Sequence, residues 1–155
     1  MIQQFKNLSE EEKTTLLDAP ALIAVLIAGA DNNIDEKEVN FSEKIAHYRA
    51  GNDESNLQSY YAEVDKFIGD AIAQQTRTLP KELIERQHIL IEELSKLNEI
   101  LPKLDKSFAI DLYKSFLTFA KSVAQSSGGV WGYASITPEE ERLLGLSMIK
   151  DPAGN

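Results

Sequence analysis

The densest run of oxygen-bearing side chains is Asp31-Asn32-Asn33-Ile34-Asp35-Glu36-Lys37-Glu38. Oxygen donors at 31, 33 and 35 alternate as in the first half of an EF-hand loop, the pattern by which a short loop converges on a hard divalent ion. The rest of that loop does not follow. Glu36 stands where the sharp-turn glycine is needed, and Ser42 stands where the bidentate glutamate is needed. Glu38 could swing back to join Asp31 and Asp35, with Asn33 as a fourth donor. A divalent cation held by Asp31, Asn33, Asp35 and Glu38 is therefore one expectation. The other needs no ion. Asp35 is a natural helix N-cap with Glu38 as its capping-box partner, and Asp31 and Asn33 suit a tight inter-helix turn.

A second stretch, Ser126-Ser127-Gly128-Gly129-Val130-Trp131-Gly132-Tyr133, holds three glycines, the single tryptophan and a tyrosine. It lacks the following GK[ST] of a phosphate-cradling loop. Trp131 and Tyr133 could anchor a partner protein; alternatively Trp131 folds back as a lid on the core. His47 and His88 are the two histidines. Glu43 and His47 stand four apart, a spacing that can ligate one ion, although an ordinary surface histidine needs no ligand. No Ser-His-Asp order emerges from so few histidines. The absence of cysteine excludes disulfides, thiolate zinc sites and a cysteine nucleophile.

The elements that must position these residues read as helices. Ser9-Glu10-Glu11-Glu12 is a capping box opening a first helix to about Asp18. Pro20 is expected to open a second, Ala21 to Ala30, apolar all round and so central. A third runs from Asp35 toward Arg49, with a turn at Gly51-Asn52-Asp53. The fourth carries one apolar stripe of Leu57, Tyr60, Tyr61, Val64, Phe67, Ile68, Ala71 and Ile72. Pro80 is expected to open a fifth with Leu83, Leu90, Leu94, Leu97 and Leu101 on one face. A sixth spans about Asp105 to Ser127, with Phe108, Leu112, Phe116, Phe119, Ala120 and Val123 inward. Its second apolar face, Ala109, Leu117 and Ala124, makes it central or places it at a homodimer seam. Thr137-Pro138-Glu139-Glu140 caps a short seventh helix, whose first-turn acids suit the helix dipole. No segment sustains period-two alternation. The fold class expected is all-α: a single-domain bundle of about seven helices over 1–150, a disordered tail over 151–155, and a weak helical-hairpin repeat pairing Ile34–Glu38 with Ile136–Glu140.

A chain of 155 residues can bury a full core without staples. Hydrophobic residues are 43% and charged residues 26%, ordinary for a globular protein. The net charge of −9 disfavours phosphate-backbone contacts, so nucleic acid is not an expected partner. The longest apolar run, Ala19 to Ala30, is too short to span a bilayer. Residues 1–6 show no secretory pattern, and a cytoplasmic location is expected.

After an apolar helix, the pattern Ala30-Asp31-x-x-Ile34-Asp35-x-x-Glu38 resembles the signature of the TerB-like family of tellurite-resistance and stress-associated proteins. The likeness covers most of the chain loosely, and this motif is its specific part. The resemblance implies an all-α fold, acidic loop residues that bind divalent cations, and no catalytic activity. It assigns the acidic positions to Asp31, Asp35 and Glu38. Two departures stand out. Asn32 replaces a frequent glycine, and Ser127 to Gly132, at the family's second acidic loop, has no carboxylate. The function expected is a non-enzymatic, stress-associated module that binds a divalent cation (calcium, magnesium or manganese), a protein partner, or both. The alternative is a purely structural interaction module whose acidic loop only caps helices.

Overall fold

The computed structural model describes residues 2–30, 34–52, 56–126 and 138–154. The helices are α1 (Glu10–Ala28), α2 (Glu36–Asn52), α3 (Gln58–Thr78), α4 (Leu83–Ser95), α5 (Leu97–Ile100), α6 (Lys106–Gln125) and α7 (Pro138–Leu143). Short 3-10 turns lie at Gln3–Phe5 and Leu101–Lys103. Among the described residues there is no strand, so the fold is all-α. No helix among them is long and apolar enough to cross a membrane.

α1 is the axis of the bundle and touches every other helix from α2 to α7. The expected capping box forms: the Ser9 hydroxyl accepts from the Glu12 amide, and the Glu12 carboxylate accepts from the Ser9 amide. The expected break at Pro20 does not occur. Residues 10–28 are one helix, and Pro20 sits inside it, buried. Proline lacks the N–H that would bond the carbonyl four residues earlier, which here belongs to Leu16. The hydroxyl of Tyr60 on α3 donates to that carbonyl instead, at 2.6 Å. With the acceptor satisfied, the fully apolar sequence from Ala19 to Ala28 stays helical and is buried throughout.

α3 lays Tyr60, Tyr61, Val64, Ile68 and Ile72 inward. Phe67, expected on that stripe, is instead 60% exposed, because it flanks the stripe on the solvent side. Tyr60 meets Tyr61 edge-on at 5.0 Å and tilts onto Phe116 at 6.2 Å between ring centres. α6 delivers Phe108, Leu112, Phe116, Phe119, Ala120, Val123 and Ala124 to the same core, as its spacing predicts. Asp105 caps it through the Phe108 amide.

Arg49 ties three helices together. Its guanidinium donates to the Tyr61 hydroxyl, the Ser115 carbonyl and the Thr118 hydroxyl, and lies over the Tyr61 and Phe119 rings. A planar fork of donors with a face that stacks on aromatics suits this position better than a lysine could.

Other boundaries shift. Gly51 and Asn52, expected as a turn, complete α2. Pro80 does not open α4; Glu82 does, its carboxylate accepting from the amides of Ile84 and Glu85. The apolar face from Leu90 to Leu101 is interrupted by a turn at Lys96, and α5 and the 3-10 turn at Leu101–Lys103 carry Leu97, Ile100 and Leu101 inward. Glu140, expected as a dipole-favoured surface acid, is buried. At the C-terminal end, Asp151 accepts from the amides of Ala153 and Gly154, closing a turn.

Candidate functional site at the α1–α2 joint

α1 runs out at Ala28 because Gly29 follows, and the chain then turns into α2. The Asp35 amide donates to the Ala28 carbonyl at 3.0 Å, so the start of α2 is pinned to the end of α1. The Asp35 carboxylate turns inward along its own helix. Its Oδ1 accepts from the amides of Lys37 at 2.8 Å and Glu38 at 3.3 Å. This is N-cap geometry: one oxygen satisfies two of the amides that a helix start leaves without intrahelical partners.

Glu38 is 2% exposed, so its carboxylate lies inside the joint. Ser42, at the twelfth position counted from Asp31, is fully buried and donates its hydroxyl to the Glu38 carbonyl at 2.7 Å. Of the four oxygen donors expected to gather here, the structure places Asp35 and Glu38 in the first turn of α2. Asp31 and Asn33 lie outside the described residues, as do Trp131 and Tyr133 of the glycine-rich stretch. Among the described residues, no group of three or more His, Asp or Glu is arranged to hold a metal.

A cation already stands at the joint, and it is a side chain. Arg86 of α4 is 3% exposed. It donates one guanidinium nitrogen to the Gly29 carbonyl at 2.7 Å and another to the Lys81 carbonyl at 3.1 Å. Its positive charge meets the C-terminal end of α1, where the helix dipole favours a cation. Gly29 makes room for it: a Cβ on Gly29 would stand 3.1 Å from the guanidinium, 3.1 Å from Ile34 and 3.0 Å from the Val25 carbonyl. In the described part of the joint, one Asp35 oxygen is spent on backbone amides and Arg86 supplies a positive group.

Arg86 was not among the residues singled out above. Its signal is positional: Arg86, Leu90 and Leu94 follow helical spacing on the inward face of α4. A guanidinium on an apolar stripe is there to meet buried carbonyls or carboxylates.

The histidine–carboxylate pairs lie on the surface. The Glu43–His47 pair does not form a ligand set. His47 instead meets Asp65 of α3 at 2.9 Å on the surface, and Glu43 lies over Gly69 of the same helix. His88 pairs with Glu92 one turn along, both exposed.

Comparison of the chain with protein-family models, with curated proteins and with solved structures finds no match. What the described residues define is an all-α bundle in which Asp35 caps the second helix and a buried arginine holds the end of the first.

Proposed function

We propose that this chain is a non-enzymatic, stress-associated helical module of the kind its TerB-like motif suggests, acting by docking a partner protein. Its acidic joint serves as helix caps. The observation that carries the cap reading is the Asp35 Oδ1, which accepts from the amides of Lys37 and Glu38. The outward sides of α2 and α3 support the docking role. Phe41 and Tyr48, seven residues apart on α2, are 40% and 65% exposed, and Phe67 of α3 is 60% exposed. Aromatic side chains left in water are common anchors of protein contacts.

A second reading, a divalent cation at the joint, draws on one observation: the buried Glu38 carboxylate in the same helical turn as Asp35. Thermal melts with calcium, magnesium and manganese at millimolar concentration separate the two. The cap reading expects no ion-specific stabilisation of the native chain. It also expects Asp35→Ala to cost about 1 kcal/mol, with Asp35→Asn close to native, because asparagine caps as well as aspartate. Stabilisation by one ion that is lost in both Asp35→Asn and Glu38→Gln would overturn the cap reading and establish the cation.

A further inference from the structure

Away from the joint, the C-terminal segment folds back over α5, the Leu101–Lys103 turn and the start of α6. Two features hold it. Asn98 donates to the Met148 carbonyl at 2.9 Å and accepts from the Lys150 amide at 2.7 Å. Leu146, fully buried, adopts a left-handed backbone with φ 45°, a conformation that a leucine takes only where its surroundings impose it. The segment so pinned closes one side of a cavity of about 370 Å³. Leu101, Leu104, Ala109 and Pro152 give it apolar walls, and Lys106 and Lys150 stand at it. That volume lies within the roughly 300–1,000 Å³ of small-molecule sites.

The charged side chains at the cavity are Lys106, Lys150 and Asp151. Among the described residues neither Lys106 nor Lys150 is in an ion pair, which holds for most of the lysines of the chain. Asp151 also lines the cavity; its Oδ1 accepts from the Ala153 amide at 2.8 Å, and its negative charge offsets one of the two lysines. An apolar pocket whose lining carries two ammonium groups against one carboxylate matches a ligand with an apolar body and one negative head.

We infer that this cavity binds a small amphipathic carboxylate, such as a short acyl-chain acid, with its chain against Leu101, Leu104 and Ala109 and its head between Lys106 and Lys150. The apolar walls supply burial and the lysines supply the preference for an anion.

Calorimetric titration of the full chain with octanoate, octan-1-ol and octylammonium tests this. Octanoate is expected to bind saturably at one site, octanol more weakly, and octylammonium not at all. Lys106→Ala combined with Lys150→Ala is expected to weaken octanoate roughly tenfold and to leave octanol unchanged. Both lysines are exposed, so circular dichroism of this variant should match the native chain. Ala109→Leu, which fills the cavity, should abolish binding of both ligands. A readout without substitutions is nuclear magnetic resonance of the native chain, where octanoate should perturb residues 98–109 and 146–152 first. Absence of saturable octanoate binding, equal binding of octylammonium, an undiminished affinity in the double variant, or perturbations centred elsewhere would each overturn the assignment.

Discussion

The Tyr60 hydroxyl donates to the Leu16 carbonyl at 2.6 Å, across 44 residues of chain and inside the core. That carbonyl is the one Pro20 cannot serve, so a side chain on α3 replaces a missing backbone donor of α1. The substitution keeps α1 continuous through its most buried stretch. It also fixes the register of α1 against α3, because a hydrogen bond to one carbonyl admits one alignment.

Tyr60→Phe keeps the ring and its edge contacts with Phe5 and Tyr61 but removes the donor. A buried acceptor left unmade costs about 1–3 kcal/mol. Pro20→Ala in the Tyr60→Phe background should recover most of that loss, because the amide that alanine restores at this position can then bond the Leu16 carbonyl within the helix. Urea denaturation of the two single variants and the double variant measures the coupling. Additive effects would show that the hydroxyl serves some other purpose.

Arg86 is the corresponding device at the far end of α1. Arg86→Met leaves the Gly29 and Lys81 carbonyls without their guanidinium donors, at an expected cost of about 2–3 kcal/mol. Arg86→Lys should recover only part of it, since an ammonium group lacks the planar fork that reaches two carbonyls at once. Hydrogen exchange gives a local check. The Asp35 amide, bonded to the Ala28 carbonyl next to Gly29, should exchange faster in both variants. Native protection there would place the arginine outside the structure of the joint.

Much of the bundle was legible because helices announce themselves locally. Ser9 with Glu12 is a cap visible over four residues, and the inward positions of α6 recur at helical spacing from Phe108 to Val123. What the sequence hid are effects delivered from far along the chain. Pro20 reads as a helix start until Tyr60 supplies its missing bond. Arg86 falls at helical spacing with Leu90 and Leu94, but the carbonyl it serves, on Gly29, lies 57 residues away. The acidic stretch was ambiguous for a different reason. Asp and Glu at these spacings serve equally as ion ligands or as caps, and the sequence does not show that the Asp35 Oδ1 accepts from the Lys37 and Glu38 amides.

Asp18 predicts a pH effect with a definite sign. Burial, together with the negative charge of Glu93, pushes its carboxyl above the usual range. A group whose pKa rises on folding binds its proton more tightly in the folded chain. Its contribution is therefore most favourable below the ordinary carboxylate pKa and is lost as pH climbs through the raised value. Asp18→Asn should raise the melting midpoint at neutral pH, and the gain should shrink on acidification toward the ordinary carboxylate range. Because Asp18 is half exposed, solvent screening keeps the effect small. A midpoint difference constant across that range would remove the electrostatic explanation.

Two glycines should respond oppositely to the same substitution, and the cause lies in what each faces. A Cβ on Gly29 meets the Val25 carbonyl and the clamped Arg86 guanidinium, neither of which can retreat without breaking hydrogen bonds. Gly29→Ala should therefore cost about 1–3 kcal/mol, the range for overpacking. A Cβ on Gly69, in the middle of α3, meets only the end of the Glu43 side chain. That carboxylate is on a flexible stem and can swing aside. Replacing a mid-helix glycine by alanine contributes roughly 0.5–1 kcal/mol through backbone entropy. Gly69→Ala is thus expected to be neutral to stabilising by up to about 1 kcal/mol. Chemical denaturation of the two variants side by side decides the point. A Gly69→Ala loss as large as that of Gly29→Ala would mean that Glu43 is held in place over α3 rather than resting there.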